Sequence, residues 1–501
     1  MPFSTQQWAA LHAAAVVPLS QLFAEDADRA ERLSVDVAGI SFDFAKTHLS
    51  REMVAGAEAL TDEGGLRNAQ ELLFTGAIVN PTEGRAAEHL AERGTGSPDA
   101  VTLARTCHAR MRALVDAVEA GAFGDVTGVL HIGIGGSALG PALLIDALGR
   151  RENNYRVEVL SNIDGQAFEA AVANLDPTTT LVVIASKTFS TAETIRNARS
   201  ALTWMAEAGV SDPYGQLIGI TAMPQAAIDF GIDDTRVLPF GESVGGRYSL
   251  WSTIGFAAAL ALGYSAFEEL LEGAAEMDRH FRFAKADANA PILAALSDLF
   301  YAQRLGCETR AVFSYDERLR LLPPYLQQLV MESNGKSVTA EGQPLGRHSS
   351  PVLWGGTGTD VQHAVFQLLH QGTRLVPVEF VTVAEPDDDQ DPAHHRDLLL
   401  NAFAQGSALM TGRASDDPAR HYPGDRPSIT ILLDRLDPHT LGALLAFYEA
   451  RTFAEAALLG INPFDQFGVE LGKIIAQAID DPEQRASFDS STRRLIQKAA
   501  L

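Results

Sequence analysis

Gly128-Val-Leu-His-Ile-Gly-Ile-Gly-Gly-Ser-Ala-Leu-Gly-Pro141 decides how this chain is read. Val129 to Ile134 is an apolar run of strand length. It breaks at Gly135-Gly136-Ser137 and gives way to a helix that Pro141 can occupy in its first turn. Glycines at such a turn let the backbone approach a ligand, and the helix behind offers unpaired N–H groups and the positive end of its dipole. An anion, most often phosphate, suits that arrangement. A tight strand-to-helix turn without a ligand suits it equally. Gly133-x-Gly135-x-x-Ala138 also fits the loose dinucleotide fingerprint. The next strand candidate, 156–160, however, ends in Ser161-Asn162, where an acidic residue for a ribose is wanted. No Gly-Lys-Ser/Thr follows, which excludes a Walker loop.

Working outward, strand and helix signals alternate: strand 128–134, helix 138–149, strand 155–160, helix 165–173, strand 180–185, helix 192–208, strand 216–221. Such alternation, with apolar β-branched strands, predicts a doubly wound parallel sheet. Helical sequence runs from about 249 to 306. A second alternation begins at Arg310-Ala-Val-Phe-Ser-Tyr315, with helices over 316–332, 361–371 and 393–411, strands over 374–383 and 428–433, and closing helices over 438–459 and 464–479. Ahead of the central turn, residues 1–100 are rich in Ala and Leu. Helices are expected over 6–24, 52–60, 66–74 and 84–93, around one extended piece, 33–44.

The chain of 501 residues is long enough for about three domains or two large α/β lobes. A net charge of −25 argues against nucleic acid or an anionic membrane as partner. It also means that an anionic substrate must be held by local features. Cys107 and Cys307 stand far apart with no metal-like spacing, as expected in a reducing compartment. No signal peptide and no membrane-length apolar run is evident, so the expected location is cytoplasmic.

Five further stretches carry chemistry-bearing residues. Ser186-Lys187-Thr188-Phe-Ser-Thr191 crowds hydroxyls and a lysine at a strand end, where ligands of parallel sheets bind; helix capping explains such hydroxyls as well. Gly245-Gly246-Arg247 feeds a helix with an arginine able to face developing negative charge, or simply the solvent. Tyr325 to Lys336 reads as a helix stopped by Asn334-Gly335, with Glu332 in its last turn. The dipole end and apolar Leu329 and Val330 there are expected to favour the protonated carboxyl, a group suited to proton transfer unless it lies exposed at a frayed end. His363 opens a helix and shares a face with His370, a spacing unlike the usual i, i+4 metal pair. Gln466, Glu470 and Lys473 recur at i, i+4, i+7, which places all three on one helix face.

Taken together, Gly133-Ile-Gly-Gly-Ser137, Ser186-Lys-Thr-Phe-Ser-Thr191, Gly245-Gly-Arg-Tyr-Ser-Leu-Trp251, Met331-Glu-Ser-Asn-Gly-Lys336, Gln362-His363 with His370-Gln-Gly-Thr373, and Phe464-Asp-Gln-Phe-Gly-Val-Glu-Leu-Gly-Lys473 resemble glucose-6-phosphate isomerases, in order and in spacing. Asp43–Ser50, Asn80–Arg85 and His394-His395 fit the same pattern, so the resemblance spans about 43 to 473. It implies an α/β fold of two sugar-isomerase-type lobes, each a three-layer αβα arrangement of parallel-rich sheet flanked by helices, plus an N-terminal helical segment. The expected division is 1–100 helical, 101–265 the smaller lobe and 266–501 the larger lobe with the C-terminal helices. The resemblance further implies aldose–ketose isomerisation of glucose 6-phosphate and fructose 6-phosphate through a cis-enediol, with neither metal nor organic cofactor, in a homodimer whose partner supplies His363. By position, Glu332 is the expected base and Arg247 the group that stabilises the intermediate. His363, oriented by Glu193, opens the ring with Lys473. Gly136, Ser137, Ser186, Lys187, Thr188, Thr191, Gly246 and Gln466 are expected around the sugar phosphate, and Gln328 on a hydroxyl. Leu329-Val330 stand where many members have Gly-Asp, and Phe467 where many have Trp.

Overall fold

A computed structural model of the chain describes residues 3–63, 65–150, 153–388 and 390–500. Eleven strands occur among them: β1 (Ser34–Val37), β2 (Ile40–Asp43), β3 (Gly128–Ile132), β4 (Arg156–Leu160), β5 (Thr180–Ala185), β6 (Leu217–Thr221), β7 (Val237–Pro239), β8 (Thr309–Tyr315), β9 (Val352–Thr357), β10 (Val378–Val383) and β11 (Ser428–Leu433). One compact unit runs as far as Pro463, and a second begins at Phe464.

Strands β3 to β7 form a five-stranded parallel sheet in the order β4-β3-β5-β6-β7. All residues of β3, β5 and β6 are buried, which is why they read as unbroken apolar runs rather than alternating ones. Leu130, Ile132, Val182 and Ile184 share a core with Ala198, Ala201 and Met205 of the helix Ala192–Glu207. The chain leaves β3 for β4 on one side and returns for β5 on the other. The gap beyond the carboxyl ends of β3 and β5 is therefore the switch point of the sheet, the place where open parallel sheets bind ligands.

The second sheet is mixed, in the order β1-β2-β11-β10-β8-β9. Strands β8, β9, β10 and β11 run parallel, and the hairpin β1–β2 adds antiparallel along β11. The extended piece foreseen over 33–44 is thus two strands. Ala38 and Gly39, at φ +53° and +73°, make the two-residue left-handed turn that matches strand twist. Phe313, Phe366 and Phe380 pack at the centre of this half.

Several expected elements are corrected. The helix over 6–24 divides into Thr5–Ala13 and Leu19–Glu25, because Pro18 cannot continue a helix. The helix over 84–93 is only a 3₁₀ turn at His89–Arg93, following a bridge between Asn80 and Arg85. Strands β7 and β9 were not foreseen: the first has three residues and the second contains Gly355-Gly356. No described helix is long and apolar enough to cross a membrane.

Candidate active site

The turn after β3 is a 3₁₀ segment, Gly135–Ser137, followed by the helix Leu139–Leu148. Gly136 is glycine for reasons of space: a Cβ there would lie 2.0 Å from the carbonyl oxygen of Gly246. The first glycine turn and the Gly245-Gly246 turn are therefore in backbone contact. At Gly135, φ is +55°, and a Cβ would lie 2.8 Å from Nε2 of Gln328. Below the turn, the imidazole of His131, buried in β3, donates from Nε2 to the carbonyl of Ser137 at 2.7 Å. Burial depresses the basicity of that histidine to a pKa of about 4, so the ring is neutral and its N–H serves the loop.

Because Ile132 pairs with Ile184, the loop after β5 leaves the same sheet edge. Ser186 and Thr191 share a hydroxyl–hydroxyl bond of 3.0 Å, and Ser190 donates to the Thr188 hydroxyl at 2.8 Å. Phe189, at φ +53°, buries its ring under the loop and turns the flanking polar residues outward. Lys187 reaches across to the third motif, donating to the carbonyls of Glu242 and Val244 at 2.6 and 3.0 Å. Burial first, and Arg85 second, lower its pKa to about 8. Arg85 shares the Glu242 carbonyl at 3.2 Å and bonds Glu83 at 2.5 Å.

Arg247 lies in the 3₁₀ turn Gly246–Trp251 and is almost fully buried. Its Nε donates to the Ser333 hydroxyl at 2.7 Å, and one terminal nitrogen donates to the carbonyl of Pro463. The other stands 3.4 Å from Oε2 of Glu332. The same Oε2 accepts from Gln328 Nε2 at 3.0 Å. Glu332 does not end an ordinary helix as expected. The helix Leu322–Gln327 gives way to a π turn, Gln328–Glu332, a distortion that frequently marks functional sites. Leu329 and Val330 are buried, while the Glu332 side chain keeps 20% of its surface exposed. Lys336 closes the segment by donating to the Glu332 carbonyl at 2.8 Å. A carboxylate, a guanidinium, two glycine turns and a hydroxyl-rich loop thus converge from four separate stretches.

The family model described as phosphoglucose isomerase matches residues 43–496. The chain belongs to that family. Glucose-6-phosphate isomerase of Rhizorhabdus wittichii is 62% identical over 492 residues, covering 98% of both chains. That of Sphingopyxis alaskensis is 60% identical over 502 residues and covers both in full. A solved glucose-6-phosphate isomerase from Chlamydia trachomatis superposes with a TM-score of 0.88 at 31% identity, covering 98% of this chain and 96% of that one.

Of the remaining candidates in this phosphoglucose isomerase family member, two lie in the first unit and two in the second. Glu193 sits in the first turn of the helix Ala192–Glu207, and His363 is exposed on the helix Gly358–Gln371 after β9. Among the described residues no hydrogen bond or ion pair joins them. His370 is held inside by Gln405 at 2.9 Å and by the Tyr422 ring. Gln466 and Lys473 belong to the second unit. The single helix face foreseen for Gln466, Glu470 and Lys473 is corrected: Gln466 precedes a 3₁₀ turn, Phe467–Val469, and α-helical register starts only at Glu470. Ser333 and His131, which tie the site together, carried no sequence signal beyond their neighbours. A hydroxyl next to Glu332 and a histidine inside an apolar strand were the only hints.

Proposed function

We propose that this chain is a cytoplasmic glucose-6-phosphate isomerase, interconverting D-glucose 6-phosphate and D-fructose 6-phosphate in glycolysis and gluconeogenesis. The observation that carries the reading is the Glu332 carboxylate 3.4 Å from Arg247 and bonded to Gln328, whose amide abuts the Gly135 turn. The hydroxyls of Ser137, Ser186, Thr188 and Thr191, the backbone at Gly136 and Gly246, and the Lys187 ammonium hold the sugar phosphate. Gln328 orients a sugar hydroxyl. His363, oriented by Glu193, opens the ring with Lys473, and Gln466 binds the sugar phosphate; for the two residues beyond Pro463 the motif alone supports these roles. The exposure of His363 supports its being donated to a partner's site in a homodimer.

On the open-chain aldose, Glu332 removes the proton from C2. The electron pair forms the C1–C2 double bond, and negative charge gathers on O1. Arg247 faces that charge with its guanidinium. O1 takes up a proton from solvent to give the cis-enediol; the O2 hydroxyl then releases its proton to solvent while Glu332 returns the first proton to C1, leaving the ketone at C2. No step uses a metal or an organic cofactor.

Replacement of Glu332 by Gln is the direct test. Turnover of fructose 6-phosphate, read by coupled formation of glucose 6-phosphate, should fall by about 10²- to 10⁴-fold with sugar binding kept. Wild-type turnover in Glu332→Gln removes the base assignment.

A further inference from the structure

The helix Pro438–Leu459 is buried over nearly its whole length, yet it carries Glu449, Arg451 and Glu455 inward. Oε2 of Glu455 accepts from the Asn334 side-chain amide at 3.0 Å, and the same amide nitrogen donates to the Thr452 carbonyl at 3.0 Å. Asn334 is fully buried and lies two residues beyond Glu332, where the π turn ends. Arg451 and Arg310 stand near Glu455 but make no hydrogen bond to it among the described residues, and Arg451 Nη1 and Arg310 Nε have no hydrogen-bond partner. Arg451 gives Nε and Nη2 to Asp298 at 2.7 and 2.8 Å, and Arg310 bonds the same carboxylate. The hydrogen bond to the Glu455 carboxylate among the described residues comes from Asn334.

A π turn at a helix end is loosely fixed by its own hydrogen bonds, and its last residues would fray. Two donated bonds from one side chain into a rigid, buried helix remove that freedom. The geometry points to Glu455, acting through Asn334, as a positioning residue that fixes the Glu332 carboxylate opposite Arg247. This rests on the reading of Glu332 as the base. Neither Glu455 nor Asn334 touches the sugar. Both set where the base stands, and a displacement of about 1 Å at such a group costs about 10²-fold in rate.

The test uses Glu455→Gln, Glu455→Met and Asn334→Ala in the full chain, with kcat and KM for fructose 6-phosphate measured separately. Glu455→Gln keeps an acceptor for Asn334 and should stay within about 3-fold of wild type in kcat. Glu455→Met fills the same space without an acceptor. It should lose about 10- to 100-fold in kcat with KM changed by less than about 3-fold. Asn334→Ala should show the same split, and it decides the matter alone if Glu455→Met does not fold. Adding Glu455→Met to Glu332→Gln should lower kcat little further, since there is then no base left to misplace. Folded Glu455→Met or Asn334→Ala with wild-type kcat, or with a loss confined to KM, overturns the inference. If Glu332→Gln is inactive while those variants are unimpaired, only the positioning role fails. If Glu332→Gln itself turns over normally, the base reading fails and takes the positioning role with it.

Discussion

Lys187 shows how one side chain links the loops of the proposed phosphate cradle. It ties the β5 loop to the carbonyls of Glu242 and Val244, and its surroundings hold its pKa down to about 8. A lysine is cationic below its pKa and neutral above it. Its attraction for a phosphate dianion is therefore complete at pH 6 to 7 and lost as pH rises through about 8. The kcat/KM of the wild type, which reports the free enzyme, should fall between pH 7.5 and 9.5. In Lys187→Arg, whose charge persists past pH 12, that fall should vanish. A wild-type profile flat to pH 9.5 contradicts the assignment. The residues of this cradle were legible because hydroxyls, a lysine and glycines at strand ends are unusual enough to notice. Ser333 and His131 were not: a serine that receives Arg247 and a histidine that donates to Ser137 acquire those partners only through long-range contacts.

Among the elements, the two glycine turns carry the most exacting geometry. Their backbones meet at Gly136 and Gly246, and a methyl group at residue 136 has no space. Gly136→Ala should push the turns apart, shift Arg247 relative to the Gly135–Ser137 segment, and lower kcat/KM by about 10-fold or more. Gly165→Ala, at a helix start with open space around the new methyl, should leave activity unchanged and serves as the control. Equal activity of the two variants would show that the contact is not needed. The strand–turn–helix at 128–148 could be read from sequence because every local preference agrees there: apolar strand, glycine break, helix with proline early. The π turn at Gln328–Glu332 could not, since a π turn uses the same residues as an α-helix and is imposed by what packs around it.

For the molecule as a whole, the buried helix Pro438–Leu459 joins the segments that carry Glu332 and Arg247. Glu455 reaches Asn334, two residues beyond Glu332. Glu449 accepts from the Trp251 indole at 2.8 Å, at the end of the turn bearing Arg247, and from Arg93 at 2.6 Å, whose other nitrogens hold Asp278. Burial raises the pKa of Glu449 to about 7. Unfolded, it would release its proton near pH 4.3. Between those values the folded chain binds more protons than the unfolded one. The resulting stabilisation is complete below about pH 4.3 and lost as pH rises through about 7. Glu449→Gln lacks it, so the Tm difference between wild type and Glu449→Gln should be larger at pH 5 than at pH 7.5. A difference that is constant or grows with pH contradicts the raised value.

By itself the sequence determined the alternation of strands and helices, the doubly wound parallel sheet, the family, and the stretches in which the reactive residues lie. These follow from local properties: apolar runs, turn residues and motif spacing are written in neighbouring positions. Only the tertiary structure decided that the hairpin of residues 34–43 completes a sheet whose other strands start at Thr309, that β9 is a strand at all, and that Glu332, Arg247 and the Gly135 turn meet. Those outcomes depend on pairings and close approaches between residues far apart in the chain, where no local preference selects one partner over another and only the packing of the whole fold does.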